Sequence, residues 1–248
     1  MARKPRVYGN SGFYHVILRG NNRQNLFNDI EDRRFFLGKL KKYSKELGIA
    51  VHAYCMMGNH VHILIGNAEK NMSLLVQKIA NSYVYYFNRK YDRSGHLFQG
   101  RFKSEPVLDD EYFKTVYRYI LQNNEKAGLG KFDKYRWNSF YALRNFRRKN
   151  FVETDYVISL FGSIKCLLDF VYQRVNQNCM EYENKLVFTD CRALELIKKI
   201  CGISSPYNLE RLSIDVQKEK CSIMKKVGIS ISQIARITGI SKKIIRQS

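Results

Sequence analysis

No stretch of eighteen or more apolar residues occurs in the chain, and no lipidation signal closes it, so neither a membrane span nor a membrane anchor is expected. There is no Cys-x-x-Cys pair. The six cysteines (Cys55, Cys166, Cys179, Cys191, Cys201 and Cys221) are scattered, which argues against a cysteine-held zinc or a dithiol couple and for reduced, mostly buried thiols. Basic Met1-Ala2-Arg3-Lys4-Pro5-Arg6 runs into polar Asn10 and Ser11 without a hydrophobic region, so no secretory signal is read and the cytoplasm is the expected location. Acidic side chains are scarce: 22 Asp and Glu face 43 Lys and Arg, a net charge of +21. Such an excess calls for a polyanionic partner, because phosphate contacts release condensed counterions. With a membrane surface disfavoured, nucleic acid is the partner expected.

A length of 248 residues accommodates one large domain or two ordinary ones, and two are expected. Phe13 to Arg19 alternates like a strand, and Asp29 to Leu47 carries Phe35, Phe36, Leu40 and Tyr43 at helical spacing, closed by Gly48. Ile49–Met57 and His60–Ile65 read as a hairpin about Gly58-Asn59. Ser73 is the expected N-cap of a helix to about Arg89. Leu97–Val107 reads as extended or hairpin structure around Gln99-Gly100, and Asp109 opens a helix to about Asn124. This βαββαβ order, followed by a helix, fits an α+β fold. Its expected form is a four-stranded ferredoxin-like antiparallel sheet with two helices on one face and the other face open for chemistry. Residues 1–143 form the first expected domain. The basic stretch 144–154 is read as the linker, and 155–248 as a mainly helical second domain. In its last part Ser230 or Ser232, Gly239 and Ser241 mark two capped helices about a turn, the second presenting Lys242, Lys243 and Arg246. From Val216 onward eight basic residues face one acid, Glu219, which favours a DNA-binding helix-turn-helix over plain helical packing.

The chemistry is sought first at His60-Val61-His62. On a strand alternate side chains share a face, so the two imidazoles point the same way, roughly 7 Å apart at the backbone. That spacing suits one metal ion, and a rigid core strand would hold the rings in place. A nucleophile is expected from the helix after Asp109. At about 100° per residue, Phe113, Tyr117, Ile120 and Leu121 form one apolar stripe, whereas Tyr112, Tyr119 and Asn123 lie on another side. Tyr117 is thus read as core. Tyr119 and Asn123, an i, i+4 pair, would bring a phenol and an amide oxygen to one metal-bound phosphate. A phenol of pKa near 10 is a poor nucleophile at pH 7, and a divalent cation on the imidazoles would offset this by polarising the phosphodiester. Attack would leave a phosphotyrosine and a 3′ hydroxyl, and the retained bond energy would allow rejoining without ATP. Mixed imidazole and oxygen ligation suits Mg²⁺ or Mn²⁺ and leaves zinc open.

Four separated segments, Arg19-Gly20-Asn21-Asn22-Arg23-Gln24, Met57 to Leu64, Leu97 to Ser104 and Tyr117-Arg118-Tyr119-Ile120, resemble the IS200-like single-tyrosine transposases. The nearer likeness is to the REP-associated tyrosine transposases, and it spans about Pro5 to Leu143. The resemblance implies an HUH-type fold and single-stranded DNA cleavage and joining at hairpins formed by REP-like palindromic repeats. It casts His60 and His62 as metal ligands, Tyr119 as nucleophile and Asn123 as the amide completing the metal site. Where the family has Asn-Pro-x-Arg-Ala-Gly, this chain has Asn123-Asn124-Glu125-Lys126-Ala127-Gly128, without the proline that shapes how the helix ends. The C-terminal part resembles the DNA-binding end of the replication initiator DnaA, which implies duplex DNA as a second partner.

Candidate DNA contacts are Arg19, Arg23, Arg101, Lys103, Arg147 and Arg148, with Lys242, Lys243 and Arg246 in the C-terminal part. His15 and His96 are read as structural. Tyr83, Tyr85, Tyr86 and Phe87 offer rings for unpaired bases, but their helical setting points most of them to the core. The leading expectation is a metal-dependent strand transferase working as a monomer or homodimer. Its rivals are a domesticated DNA-binding regulator with little or no cleavage, against which intact His60, His62 and Tyr119 speak, and a rolling-circle nuclease, disfavoured by motif order and the lack of an appended helicase.

Overall fold

The computed structural model describes residues 9, 11–146, 150–174, 179–180, 190–202 and 206–248, and the chain divides into two compact units, residues 1–181 and 182–248. In the first unit β1 (Tyr14–Arg19), β2 (Ala50–Met56), β3 (His60–Gly66) and β4 (Lys103–Pro106) form an antiparallel sheet in the order β2-β3-β1-β4. Helix α1 (Ile30–Glu46) links β1 to β2, and α2 (Met72–Lys90) links β3 to β4, which is the ferredoxin-like arrangement expected from the pattern. Two boundaries differ from expectation. Helix α2 starts one residue before Ser73, after Asn71, and its cap has no side-chain hydrogen bond. Of Leu97–Val107 only β4 forms a continuous ladder with β1; before the turn at Gly100, with φ 60°, Phe98 makes a single antiparallel bridge to Gly20.

Strand alternation sorts the side chains onto two faces. Val16, Leu18, Tyr54, Val61 and Ile63 pack in one core with residues of α1 and α2 such as Phe36, Leu40, Ile79 and Tyr83. On the opposite face His15, Ile17 and Arg19 stand across from Leu64, His62 and His60. The sequence reading left this face open, and the structure corrects it. Helix α3 (Asp110–Lys126) lies there, with Phe113, Tyr117 and Ile120 packed in one core with Ala53, Cys55 and Leu64.

Helix α3 is itself enclosed, since Val116 through Asn124 are all buried. After the short α4 (Phe140–Arg144), α5 (Asp155–Phe161) and α6 (Ile164–Tyr172) add Val157, Leu167 and Val171 to the same core. Gln122 Nε2 donates to Val171 O at 2.5 Å, and the Arg118 guanidinium lies 3.9 Å from the centre of the Phe170 ring. By contact, α5 and α6 therefore belong to the first unit, and the basic stretch 144–154 lies within its bounds. Charge alone marks a solvated surface as readily as a boundary. With no proline after Asn123, α3 runs on to Lys126. Buried Asn124 donates to Gly130 O at 2.8 Å and accepts from Asn138 Nδ2 at 3.2 Å.

A buried carboxylate ties α1 to α2. Asp32 has none of its side chain exposed, yet it accepts from the Asn28 and Asp29 backbone N–H groups, from the Tyr86 and Tyr91 hydroxyls and from Lys90 Nζ at 3.0 Å. Removing one partner of a buried charged cluster costs about 3–5 kcal/mol, because the others are left desolvated without compensation. Asp32→Ala should therefore lower the stability of the first unit by that amount, read as urea unfolding of Trp137, the one tryptophan of the chain.

His52 sits at the register shift of β2, buried between the rings of Phe13, Phe113 and Tyr156 at 5.4, 5.4 and 5.6 Å. Its Nε2 would lie 2.6 Å from a Cβ added at position 66, so only glycine fits beside it. Burial pushes the His52 pKa down to about 4. The unfolded chain then binds the proton first, so stability is complete above pH 6.5 and falls as the pH drops from there towards 4. The Trp137 urea midpoint should fall across that window, and His52→Leu should make the decline shallower, the remainder coming from the equally buried His15 and His62.

The second unit holds α7 (Asp190–Cys201), α8 (Ile214–Lys226), α9 (Ile231–Thr238) and α10 (Lys242–Gln247) around Ile197, Cys221, Met224, Ile234 and Ile245. Ser230 and Ser241 cap α9 and α10 by accepting from the Gln233 and Ile244 N–H groups, and Gly239 turns between them at φ 80°. Among the described residues no helix is long and apolar enough to cross a membrane.

Candidate active site

The β2–β3 turn, the end of β1 and the loop before β4 are laced together at one end of the sheet. Gly20 N donates to Asn59 O, Asn21 N to Leu97 O and Gln99 N to Arg19 O, each at 2.8 Å. Leu26 N closes on Gly58 O at 2.8 Å. Position 20 has to be glycine, since a Cβ there would stand 2.1 Å from Gln24 O. Three segments far apart in sequence thus build one rim, and His60 begins its strand at that rim opposite Arg19.

Behind it the rings gather. The His60 and His62 centroids are 5.0 Å apart at 75°, His62 and Tyr119 are 5.7 Å apart at 75°, and His15 lies 5.2 Å from His62 and 6.0 Å from Tyr119. The structure therefore brings His60, His62 and Tyr119 together. It departs from the sequence reading in burying Tyr119 (1% exposed) against the sheet rather than leaving it on an outer side. The helical wheel found the right separation from Tyr117, which stacks on Phe113 at 14°, but not the second layer of helices that encloses α3. Asn123, one turn beyond Tyr119, is buried, and among the described residues its amide makes no hydrogen bond to either imidazole.

The imidazoles are individually oriented. His60 Nδ1 is 2.7 Å from Asn59 Oδ1, an acceptor, which puts the proton on Nδ1 and the lone pair on Nε2. His62 Nδ1 is 2.9 Å from His15 Nε2. Burial pushes His15 down to about 3, and burial, with the charges of His15 and His60, holds His62 well below 6.5, so both are neutral at pH 7. Neutral imidazole with an oriented Nε2 is the form that ligates a cation, and a hydrogen-bonded second nitrogen is the usual support for one. Among the described residues no three His, Cys, Asp or Glu side chains converge as a metal site would need. The pair fits a cation only with oxygen donors added.

Other candidates are more dispersed. Arg19 is buried beside the rim, Arg23 and Arg101 are exposed in the flanking loops, and Lys103 is half-buried on β4 opposite Ile17. Arg147 and Arg148 lie outside the described residues. Lys242, Lys243 and Arg246 are exposed on α10 in the second unit.

Three features escaped the sequence reading. His15 was given no role, because its face is set by the β1–β3 register, which a single strand does not reveal. The exposed Lys126 lies over the Tyr119 ring at 4.7 Å, two helical turns on, a spacing that is legible in sequence. Finally, α2 and the loop after it form a groove of about 1170 Å³ whose lining includes Tyr85, Arg89, Arg93, His96 and Arg101. Tyr83 and Phe87 are core as expected, whereas Tyr85 is 69% exposed in this groove.

The family model for transposases described as IS200-like matches residues 10–123. No curated protein matches the chain. Among solved structures, a REP-associated tyrosine transposase bound to a REP hairpin is similar in fold, with a TM-score of 0.52 and 15% identity over 62% of this chain and 91% of that one. A candidate transposase from Deinococcus radiodurans aligns at a TM-score of 0.35 and 20% identity, over 48% of this chain and 95% of that one. With its sheet, its paired histidines and its covering helix in the same stretch as the family match, this chain carries an IS200-like transposase domain over residues 10–123.

Proposed function

We propose that this protein is a metal-dependent single-stranded DNA endonuclease and strand transferase that cuts at hairpin-forming repeats through a 5′-phosphotyrosine. The observation that carries this reading is the meeting of His60, His62 and the Tyr119 ring on one sheet face, each ring within 6 Å of the next. In this reading His60 and His62 hold a divalent cation, Mg²⁺ or Mn²⁺, through Nε2, with the Asn123 amide or a DNA oxygen supplying further donors. When bound, the cation polarises the scissile phosphate and stabilises charge in the transition state. Tyr119 Oη forms the new bond to phosphorus as the bond to the 3′ oxygen breaks, the phenol proton passing to solvent and the 3′ oxygen taking one up. A second 3′ hydroxyl reverses the step on another end and releases Tyr119. Lys126, exposed and over the phenol ring, is placed to meet a phosphate brought to Tyr119.

Charge and shape support single-stranded DNA as the partner. The groove along α2 offers Arg89, Arg93 and Arg101 to a backbone and Tyr85 to an unpaired base. Its loop, residues 97–101, is hydrogen-bonded to the rim at which His60 stands. The resemblance supplies the hairpin and the REP-like repeat. Incubating the full chain with a single-stranded hairpin oligonucleotide and Mn²⁺ should give a protein–DNA adduct that survives detergent. No adduct with any divalent cation overturns the reading.

A second reading, a regulator that binds duplex DNA without cutting it, draws on α9 and α10. They form a capped helix pair about Gly239 with Lys242, Lys243 and Arg246 exposed, the arrangement of a helix-turn-helix. Sequence-specific duplex binding, lost in the triple alanine variant of those residues and unaccompanied by any adduct, would favour it.

A further inference from the structure

His15 shares the sheet face of His60 and His62 but takes no part in the chemistry proposed for them. It lies on β1 two residues before Ile17, the register partner of His62, so its ring falls on the same face, diagonal to His62. The two rings stack at 26° with His15 Nε2 2.9 Å from His62 Nδ1, and both residues are buried, at 0% and 2% exposure. The other nitrogen of His15, Nδ1, is buried and has no hydrogen-bond partner among the described residues. A polar atom stranded in this way is costly, about 1–3 kcal/mol, and calls for a compensating role.

The geometry constrains where the protons are. A hydrogen bond between two ring nitrogens holds one proton: two would collide, and none would set lone pair against lone pair. If His15 donates, His62 carries its proton on Nε2 and offers no lone pair to a cation there. If His62 donates from Nδ1, its lone pair is on Nε2, matching the tautomer that Asn59 imposes on His60. Only the second arrangement makes both imidazoles ligands through the same atom. We propose that His15 is a positioning residue: its Nε2 accepts the Nδ1 proton of His62 and so fixes Nε2 of His62 as the ligating atom. This inference rests on the reading of His60 and His62 as metal ligands.

The test is Mn²⁺ affinity of the full chain in the absence of DNA, read by electron paramagnetic resonance of free Mn²⁺, beside the Trp137 urea midpoint. His15→Leu fills the space, removes the acceptor and also removes the stranded atom. Mn²⁺ affinity should fall about 10–100-fold, the usual consequence of deleting an outer partner of a ligating histidine, while the urea midpoint holds or rises. His15→Gln, whose carboxamide reaches the position of Nε2, should keep affinity within about threefold. His15→Asn, similar in polarity but one methylene short, should lose it. The Gln and Asn pair decides the matter even where the leucine variant folds poorly. Unchanged affinity in His15→Leu and His15→Asn overturns the proposal and leaves the ligand assignment standing. Absence of Mn²⁺ binding by the wild type removes the ligand assignment, and the proposal with it.

Discussion

Tyr119→Phe should abolish the covalent protein–DNA adduct and lower hairpin cleavage on the order of 10⁴-fold or more, since no other group takes over a removed nucleophile. The change deletes one oxygen and leaves the ring, which meets His15 and His62 edge-on at 68° and 75°. The Trp137 unfolding midpoint should accordingly stay close to that of the wild type, separating lost chemistry from lost fold. Two neighbours on α3 act as controls. Tyr117 is buried in the same core, where desolvation pushes its pKa well above the ordinary value and its ring stacks on Phe113 rather than on a histidine. Tyr112 lies nearly two turns before Tyr119 on the helix. Tyr117→Phe and Tyr112→Phe should both form adduct at near wild-type yield. An undiminished adduct in Tyr119→Phe would sink the assignment of the nucleophile, and adduct lost only in Tyr117→Phe would move it.

His60→Ala and His62→Ala should each cost more Mn²⁺ affinity than an outer-shell change does, that is, more than about 100-fold, and should lose adduct formation with it. Their effects on folding should differ. His60 is half-buried at the rim and leaves little behind when truncated. His62 is 2% exposed and packed against His15 and Tyr119, so its truncation opens a cavity and should cost about 2–4 kcal/mol. His60→Ala is therefore the cleaner test. Raising Mn²⁺ into the millimolar range should partly restore adduct in His60→Ala if the loss is one of affinity. Unchanged Mn²⁺ affinity in both variants would end the proposal that these imidazoles hold the cation.

Much of this was legible in one dimension because the relevant periods are short. The alternation of Phe13–Arg19 and His60–Ile65 gives strands, and the spacing of Phe35, Phe36, Leu40 and Tyr43, closed by Gly48, gives α1 almost to the residue, while Asp29 at its start proves to be its N-cap. His60 and His62 could be put on one face without knowing what that face meets. Tyr119 could be separated from Tyr117 by angle alone. The capped pair α9 and α10 was read from its serines and a glycine, because each cap is made within three residues of its own chain, and the structure chose Ser230 over Ser232 for the first.

What escaped was everything that depends on which surfaces meet. The open second face of the sheet was an inference from element order, and α3 covers it because Val116 to Asn124 are enclosed on all sides, partly by helices assigned to another domain. The groove beside Tyr85 exists only because α2 and the loop of residues 97–101 lie side by side. The sequence by itself determined the elements, their caps and the residue types that carry the chemistry, since helix and strand periodicity act over a few residues. The tertiary structure alone decided that His15 meets His62, that Lys126 lies over a buried Tyr119 and that three loops form one rim. Strand register and layer packing join residues tens of positions apart, 47 for His15 and His62, and bury Tyr119 beneath a cation whose spacing alone was readable in the chain.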